Sequence, residues 1–268
     1  MMRQSMRQTK RIVASFLLIL SAVSLYSQNP KDSLKRVFSI NDYTLFGVEY
    51  GASASMMQFN PSKTQTYMIA PNTFGVFIIK YGKLFDGSPN FGFKLGARYS
   101  HEGYQFKENK ETKVTPTLEG ANKAIIEYAE VPFMAHFHSD GLHFKIMVDA
   151  GIYGGYRLGI ERIGERVLEE YRHAFMEWDR RYDYGLTGGL GFGFVFDPIE
   201  FHVNGNVRYS WGTLYDPDYY HRDFYRFAYP LDFMLTAGLY FQLTKRSGRT
   251  KGQIKREAYE QVFHPDNE

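Results

Sequence analysis

The 268-residue chain has no cysteine and a formal net charge of +3, with lysine and arginine spread among aspartate and glutamate. That excludes a disulfide scaffold, a thiolate metal site and a lipid-modified cysteine, and leaves no basic footprint for nucleic acid. Length suits one domain, and 17% aromatic residues with 25 glycines suit strands of which only alternate residues face an apolar medium.

Arg3, Arg7, Lys10 and Arg11 precede an apolar run over residues 12–25, followed by small and polar residues to Ser27 and Gln28. A charged start, an apolar stretch within the usual range of about 7–15 residues and a cleavage zone read as a secretory signal peptide over residues 1–27. Cleavage is expected after Ser27, with Ser24 as second choice. A helical anchor would need about 20 apolar residues, and no other stretch is long and apolar enough to span as a helix. Further crossings must therefore be strands. Residues 28–41 read as a polar periplasmic linker, residues 42–244 as a barrel and residues 245–268 as a periplasmic tail.

From residue 46 the chain alternates: Phe46, Val48, Tyr50, Ala52 and Ala54 oppose Gly47, Glu49, Gly51, Ser53 and Ser55, the period of two of a strand. A second strand is expected over residues 73–81, where Phe77-Ile78-Ile79 blurs the pattern and Lys80 is assigned inward. Asp86-Gly87 and Pro89 then supply turn chemistry. Over residues 91–100, Phe91, Phe93, Leu95, Ala97 and Tyr99 oppose Gly92, Lys94, Gly96, Arg98 and Ser100, before a long charged segment at residues 102–123. The fourth strand, residues 125–138, turns Ala129, Val131, Phe133 and Phe137 outward and Glu130, Pro132, Met134 and His136 inward. Proline lacks a ladder donor and a closed barrel has no edge, so a bulge is predicted at Pro132.

After a turn at Ser139-Asp140-Gly141, Phe144, Ile146, Val148 and Ile152 oppose Lys145, Met147, Asp149, Tyr153 and Arg157. Beyond Gly159 the spacing changes to three and four through Ile160, Ile163, Val167, Tyr171, Ala174 and Trp178, predicting a short amphipathic helix in the third outer loop. Residues 183–196 put Tyr184, Leu186, Leu190 and Phe192 against Gly185, Gly189, Gly191 and Gly193. Phe201, Val203, Val207, Tyr209 and Trp211 then oppose His202, Asn204, Asn206 and Arg208. The last strand, residues 230–243, is the clearest, with Leu231, Phe233, Leu235, Leu239, Phe241 and Leu243 on one face and Asp232, Met234, Thr236, Gly238 and Tyr240 on the other.

Long and short connections alternate, which predicts an all-β, eight-stranded antiparallel up-and-down transmembrane barrel with long outer loops and both termini periplasmic. Phe46, Phe137, Phe144, Phe196, Phe201 and Phe241 fall near the turn end, and Tyr99, Tyr156, Tyr184, Tyr209 and Trp211 near the loop end, as two aromatic girdles. A soluble barrel would bury its apolar face; here the inner faces carry glycine and charge.

The segment over residues 236–243, with Thr236, Gly238, Phe241 and Leu243, resembles the assembly signal of bacterial outer-membrane proteins and implies the barrel-assembly machinery as a partner. Tyr128-Ala-Glu130-Val131-Pro132, followed by a hairpin into Val148-Asp-Ala-Gly151-Ile-Tyr153-Gly154, resembles the PorT-like family of Bacteroidota outer-membrane β-barrels. Asp183-Tyr-Gly185 leading to Gly189-Leu-Gly191, and Arg208-Tyr209-Ser210, extend that likeness over about three quarters of the chain. The resemblance implies an outer-membrane barrel; most members of that family have no assigned role, and a place in an envelope assembly is implied only through its member associated with protein secretion. Residues 245–268 depart from it by following the last strand.

Glu49, Lys94, Arg98, Glu130, Lys145, Asp149, Arg157, Arg208 and Asp232 are the candidate lumen charges. Eight strands enclose an interior that side chains just fill, so these ions are expected to pair into a plug. His136, His138 and His143 would suit zinc or nickel, and Asp216, Asp218 and Asp223 calcium, but rim histidines need no metal and the spacing of a calcium loop is missing. No cofactor is expected. Catalysis would need a nucleophile and base on one face, and Ser100 and His101 fall on opposite faces. Tyr215, Tyr219, Tyr220, Phe224 and Tyr225 in the last outer loop, with Tyr259 and Phe263 of a short helix in the basic tail, form the candidate partner surface. The reading is a non-enzymatic outer-membrane barrel acting as accessory or scaffold subunit, in contact with membrane lipid. The alternatives are a narrow channel or small-solute transporter, then a lipid-modifying enzyme.

Overall fold

A computed structural model describes residues 43–82, 90–111, 113–140, 144–218 and 226–244, with Tyr259 and Phe263. Among the described residues eight long strands follow one another: β1 (Thr44–Asn60), β2 (Met68–Tyr81), β3 (Phe91–Phe106), β4 (Lys123–Asp140), β5 (Phe144–Ile163), β6 (Tyr182–Phe196), β7 (Ile199–Ser210) and β8 (Phe227–Gln242), with the two-residue piece Gln65–Thr66 laid against the end of β3. Each pairs antiparallel with its successor, and β1 pairs with β8 from Leu45↔Gln242 to Asn60↔Phe227. The sheet is thereby a closed barrel without a lateral edge. Among the described residues no helix is long and apolar enough to cross a membrane. The signal peptide, the linker, the Asp86-Gly87 turn, His143 and most of the tail lie outside the described residues.

Period-two alternation sorts the wall. Tyr50, Leu95, Val131, Ile152, Leu190, Phe192 and Leu235 are exposed on its outer side, while Glu49, Lys94, Arg98, Glu130, Asp149 and Arg208 are buried inside. This is the reverse of a soluble barrel and suits a hydrocarbon surround. Both girdles form: Phe46 pairs with Phe241 at the turn end, and Tyr156 packs on Tyr182 with centroids 5.0 Å apart at the loop end. Inner glycines give aromatic side chains their space. A methyl added to Gly47 would come within 2.3 Å of the Tyr240 ring, and one on Gly96 equally close to Phe77.

Several expectations are corrected. No bulge occurs at Pro132, where Leu95↔Phe133 and Arg98↔Glu130 hold one register on either side of an interruption in the β3–β4 ladder. The missing proline donor is absorbed by omitting rungs, with no extra residue. The register shifts fall elsewhere, between Gly51 and Ala52 opposite Asn72, and between Glu127 and Tyr128 opposite Leu158. Asn72, at φ 70°, is the extra residue of the first, and asparagine tolerates that left-handed conformation. Lys80 is exposed on the outer face near the turn end, because Phe77, Ile79 and Tyr81 take the inner positions of β2.

The amphipathic helix shrinks to one turn, α1 (Glu169–Arg172), while β5 continues to Ile163. Its upper part pairs with β4 as far as Lys123↔Ile163, and this pairing overrides the helical spacing. β3 likewise runs on to Phe106 through part of the segment read as a charged loop. At about 3.3 Å per residue, the 20 residues of β5 project beyond a hydrocarbon core about 30 Å thick even when tilted. The rim of β1 is finished by a side chain: Gln65 accepts from the Met57 N–H at 3.2 Å and donates to the Met57 carbonyl.

Leu235 is 65% exposed at the middle of β8. Leu235→Arg is expected to destabilise the folded barrel by about 2–4 kcal/mol, read as a lower urea midpoint in lipid vesicles. An unchanged midpoint would mean that this face does not meet hydrocarbon.

Candidate functional site

The lumen is stratified. At the turn end Tyr43, Leu45, Phe77, Ile79, Tyr81, Met134 and Tyr240 form an inner apolar cluster. At the loop end Met57, Phe59, Tyr104, Phe106, Ala124, Ile126, Ile160 and Ala228 turn inward and pack with Leu214 and Tyr215. Between and among these clusters lie two sets of buried charge.

The turn-side set is built from the beginnings of β1, β3, β5 and β7 and the ends of β2, β4 and β8. Lys94 donates to Glu49 at 2.7 Å and stands 3.6 Å from Asp149. Asp149 Oδ1 lies 2.6 Å from His136 Nδ1, whose Nε2 meets the Tyr81 hydroxyl at 2.9 Å. Lys145 donates to the Tyr43 hydroxyl at 2.6 Å and to Glu200 at 2.7 Å, and His202 Nε2 lies 2.9 Å from the same Glu200 oxygen. Asn204, Thr236 and Tyr240 all donate to Glu49. Both ring nitrogens of His136 are thus engaged by protein groups, and among the described residues no cluster of ligands suits a metal ion.

The loop-side set centres on Arg208. Its guanidinium donates to Asp232 at 2.7 Å, to Glu130 at 2.8 Å and to Glu102 at 3.0 Å, and lies 4.1 Å from the Tyr128 ring centroid. Arg157 donates to the other Glu102 oxygen at 2.6 Å and approaches Asp183 at 3.7 Å. Asp183 accepts from Tyr153 at 2.9 Å and from Ser210. Arg98 pairs with Glu130 at 3.0 Å. Its Nε and Nη2 have no hydrogen-bond partner and the guanidinium lies 5.2 Å from the Phe77 ring, with Lys94 4.5 Å from that ring. Phe77 therefore stands between the two sets.

The nine lumen residues named from sequence all lie inside, divided between these sets. Sequence reading left out Glu102 and Glu200 and, of the tyrosines that bond to the charges, Tyr43, Tyr81 and Tyr128, while Tyr153 and Tyr240 were already placed on inner faces. Glu102 extends the inner series Lys94, Arg98, Ser100 by one more step of two, and Glu200 precedes His202 by the same step, so continued alternation was the available signal. Thr236 and Gly238 of the assembly-signal segment face the lumen and Phe241 the outside, while Leu243 lies just past β8 and is exposed. Ser100 is buried inside and His101 is on the outer side.

Above the mouth, Arg162 donates to Asp179 at 2.5 Å and to the carbonyls of Tyr171 and Ala174, pinning the third loop over the barrel. Burial raises the Asp179 carboxyl above its ordinary range despite the opposing guanidinium. Tyr215 belongs to this cap and is 4% exposed, so it does not form the partner surface expected of it. Tyr219, Tyr220, Phe224 and Tyr225 lie outside the described residues, as do His221, Arg222 and Asp223. Tyr259 and Phe263 are helical and exposed, their rings 4.5 Å apart.

The profile of a family described as "Outer membrane protein beta-barrel domain" matches residues 26–213, from before β1 to just past β7. Solved structures similar to this chain include Neisserial surface protein A, 9% identical over 74% of this chain and 96% of that one, TM-score 0.44. Another is the outer membrane protease OmpT of Escherichia coli, 8% identical over 79% and 100%, TM-score 0.40. A third is Ail, the attachment invasion locus protein of Yersinia pestis, 13% identical over 74% and 99%, TM-score 0.37. No curated protein matches the chain.

Replacing Arg208 with methionine would leave Asp232, Glu130 and Glu102 buried without their shared cation. Breaking such a cluster is expected to cost about 3–5 kcal/mol, seen as a lower urea midpoint in vesicles. Adding Asp232→Asn, which removes a carboxylate paired with Arg208, should recover part of that loss, and a strictly additive double variant would show that the two groups are not coupled.

Proposed function

The chain belongs to the outer membrane protein beta-barrel domain family, and from that premise we propose that it serves as a non-conducting, non-enzymatic scaffold or accessory subunit of an envelope assembly. The observation that carries this reading is the filled lumen. Arg98, Arg157, Arg208, Lys94, Lys145, Tyr43, Tyr81, Tyr128 and Tyr240 are all fully buried within it. An ion crossing would have to displace pairs such as Lys145–Glu200, whose side chains are both 0% exposed. Desolvated pairs of this geometry are expensive to open. The same burial argues against catalysis, since the side chains of the imidazole–carboxylate pairs His136–Asp149 and His202–Glu200 are themselves buried.

A scaffold needs outward surfaces, and two are available. One is the set of outer loops above the cap, and the other is the tail, where Tyr259 and Phe263 present exposed rings. With an even strand number both termini share one side, which we assign to the periplasm, so the tail would meet a periplasmic protein. The PorT-like pattern around Tyr128, Glu130 and Pro132 supports an assembly of the secretion or biogenesis type in Bacteroidota. The barrel-assembly machinery is proposed as the partner that inserts the chain.

Planar bilayers holding the purified barrel are expected to show no steady current; a stable, ion-selective conductance would favour the channel reading. Pull-downs from native membranes with and without residues 245–268 test the partner. Loss of a stoichiometric companion on tail removal is expected, and unchanged complex composition would remove the tail from the proposal.

A further inference from the structure

The outer wall carries a hollow of about 430 Å3 spanning β2 to β5. Its floor is made by Ala97, Ala129 and Gly154, and its sides by Phe74, Tyr99 and Tyr156. These residues share neighbouring rungs, with Phe74 opposite Tyr99, Tyr99 opposite Ala129 and Ala129 opposite Tyr156. The hollow borders the interruption of the β3–β4 ladder at Pro132. Gly154 is exposed at its floor, and a methyl group built there would meet no atom within 4 Å. No protein group fills the space.

What fills it follows from where it is. The wall to either side is the apolar belt of an outer-membrane barrel, and the hollow is continuous with that belt. Arg98 and Glu130 border the hollow with side chains buried on the lumen side, and the skipped rungs leave backbone groups at its edge. Its remaining lining is apolar or aromatic, and water, which needs two to four polar partners to settle in a cavity, is a poor occupant of that part. Tyr99 and Tyr156 belong to the loop-side girdle, where aromatic side chains sit at headgroup level. The Arg181 guanidinium lies 4.7 Å over the Tyr156 ring and is tied to the carbonyls of Arg157 and Leu158. The hollow thus descends from the charged rim into the hydrocarbon-facing wall.

We propose that this hollow is a seat for one acyl chain of a lipid in the leaflet at the loop end, held more firmly than the lipid around the rest of the barrel. The site is independent of whether the lumen conducts or the tail binds a partner, so its failure would leave the scaffold reading untouched.

The test is native mass spectrometry of the full mature barrel, reconstituted in vesicles of a saturated diacyl phosphatidylcholine and released into mild detergent. Wild-type protein is expected to retain one lipid. Gly154→Trp, which fills the hollow, should lower that occupancy at least about tenfold, since each buried methylene contributes to retention. Gly205→Trp serves as control, because Gly205 is another exposed outer-wall glycine, paired with Leu190 and Leu235 on the far side of the barrel. It should leave occupancy unchanged. Heat-dependent gel mobility verifies folding, and Ala129→Leu replaces Gly154→Trp if that variant does not fold. The proposal is overturned if wild type retains no lipid, if the filled variant retains as much as wild type, if the control loses it equally, or if the retained mass is a second copy of the chain.

Discussion

Arg208 reaches from β7 across the lumen to carboxylates on three other strands, Asp232 on β8, Glu130 on β4 and Glu102 on β3. Only Asp232 comes from a strand hydrogen-bonded to its own; the other two lie on the opposite wall. Backbone ladders hold adjacent strands but say nothing about the distance between facing walls, and this guanidinium supplies that constraint. Tyr128 and Tyr153 lie near it at 4.1 and 5.5 Å, shielding the cluster from water. Charge of this kind is tolerated inside because Arg208, Arg157, Arg98, Glu102, Glu130 and Asp232 each have a counterion at hydrogen-bond distance and Asp183 accepts from tyrosine and serine hydroxyls, and truncating a member would strand its partners.

The two apolar clusters complete the same design. A charged middle alone would admit water from either end, but aromatic and aliphatic residues at the inner positions of both rims exclude it. The loop-side cluster depends on strands long enough to rise above the membrane, so that Met57, Phe59, Tyr104 and Phe106 behave as a small soluble core. Arg162 and Asp179 then fix the third loop across that core. The barrel is in this sense two environments in series, an inside-out wall in hydrocarbon and an ordinary protein interior above it.

That division also explains what could be read from the chain. Where lipid meets the wall, alternation is strict, and the eight strands, the inward charges and both girdles were legible from it. Above the membrane the inner face turns apolar and the outer one polar, as with Tyr104 and Phe106 against Gln105, so the sense of the alternation reverses; β3 and β5 were accordingly read as ending too soon. Ile160 to Trp178 mimicked a helix because several of them pack inward from different parts of a strand, a loop and a cap. Lys80 was misassigned because consecutive apolar residues on β2 hid the phase. Pro132 was recognised as a defect, yet its form depended on whether the neighbouring strand would shift or skip, which is a property of the pair. Which carboxylate meets which guanidinium was beyond reach, because strands far apart in sequence supply the partners.

The amide of Gln65, which both gives to and takes from Met57, imitates one residue of a further strand. Exposed rungs at the lip of a barrel are places where a neighbouring molecule could begin to zip on. A single side chain occupying both valences of that rung leaves nothing to copy. Crowded shoulder to shoulder in a membrane, these molecules would slide past one another at this lip without templating a shared sheet.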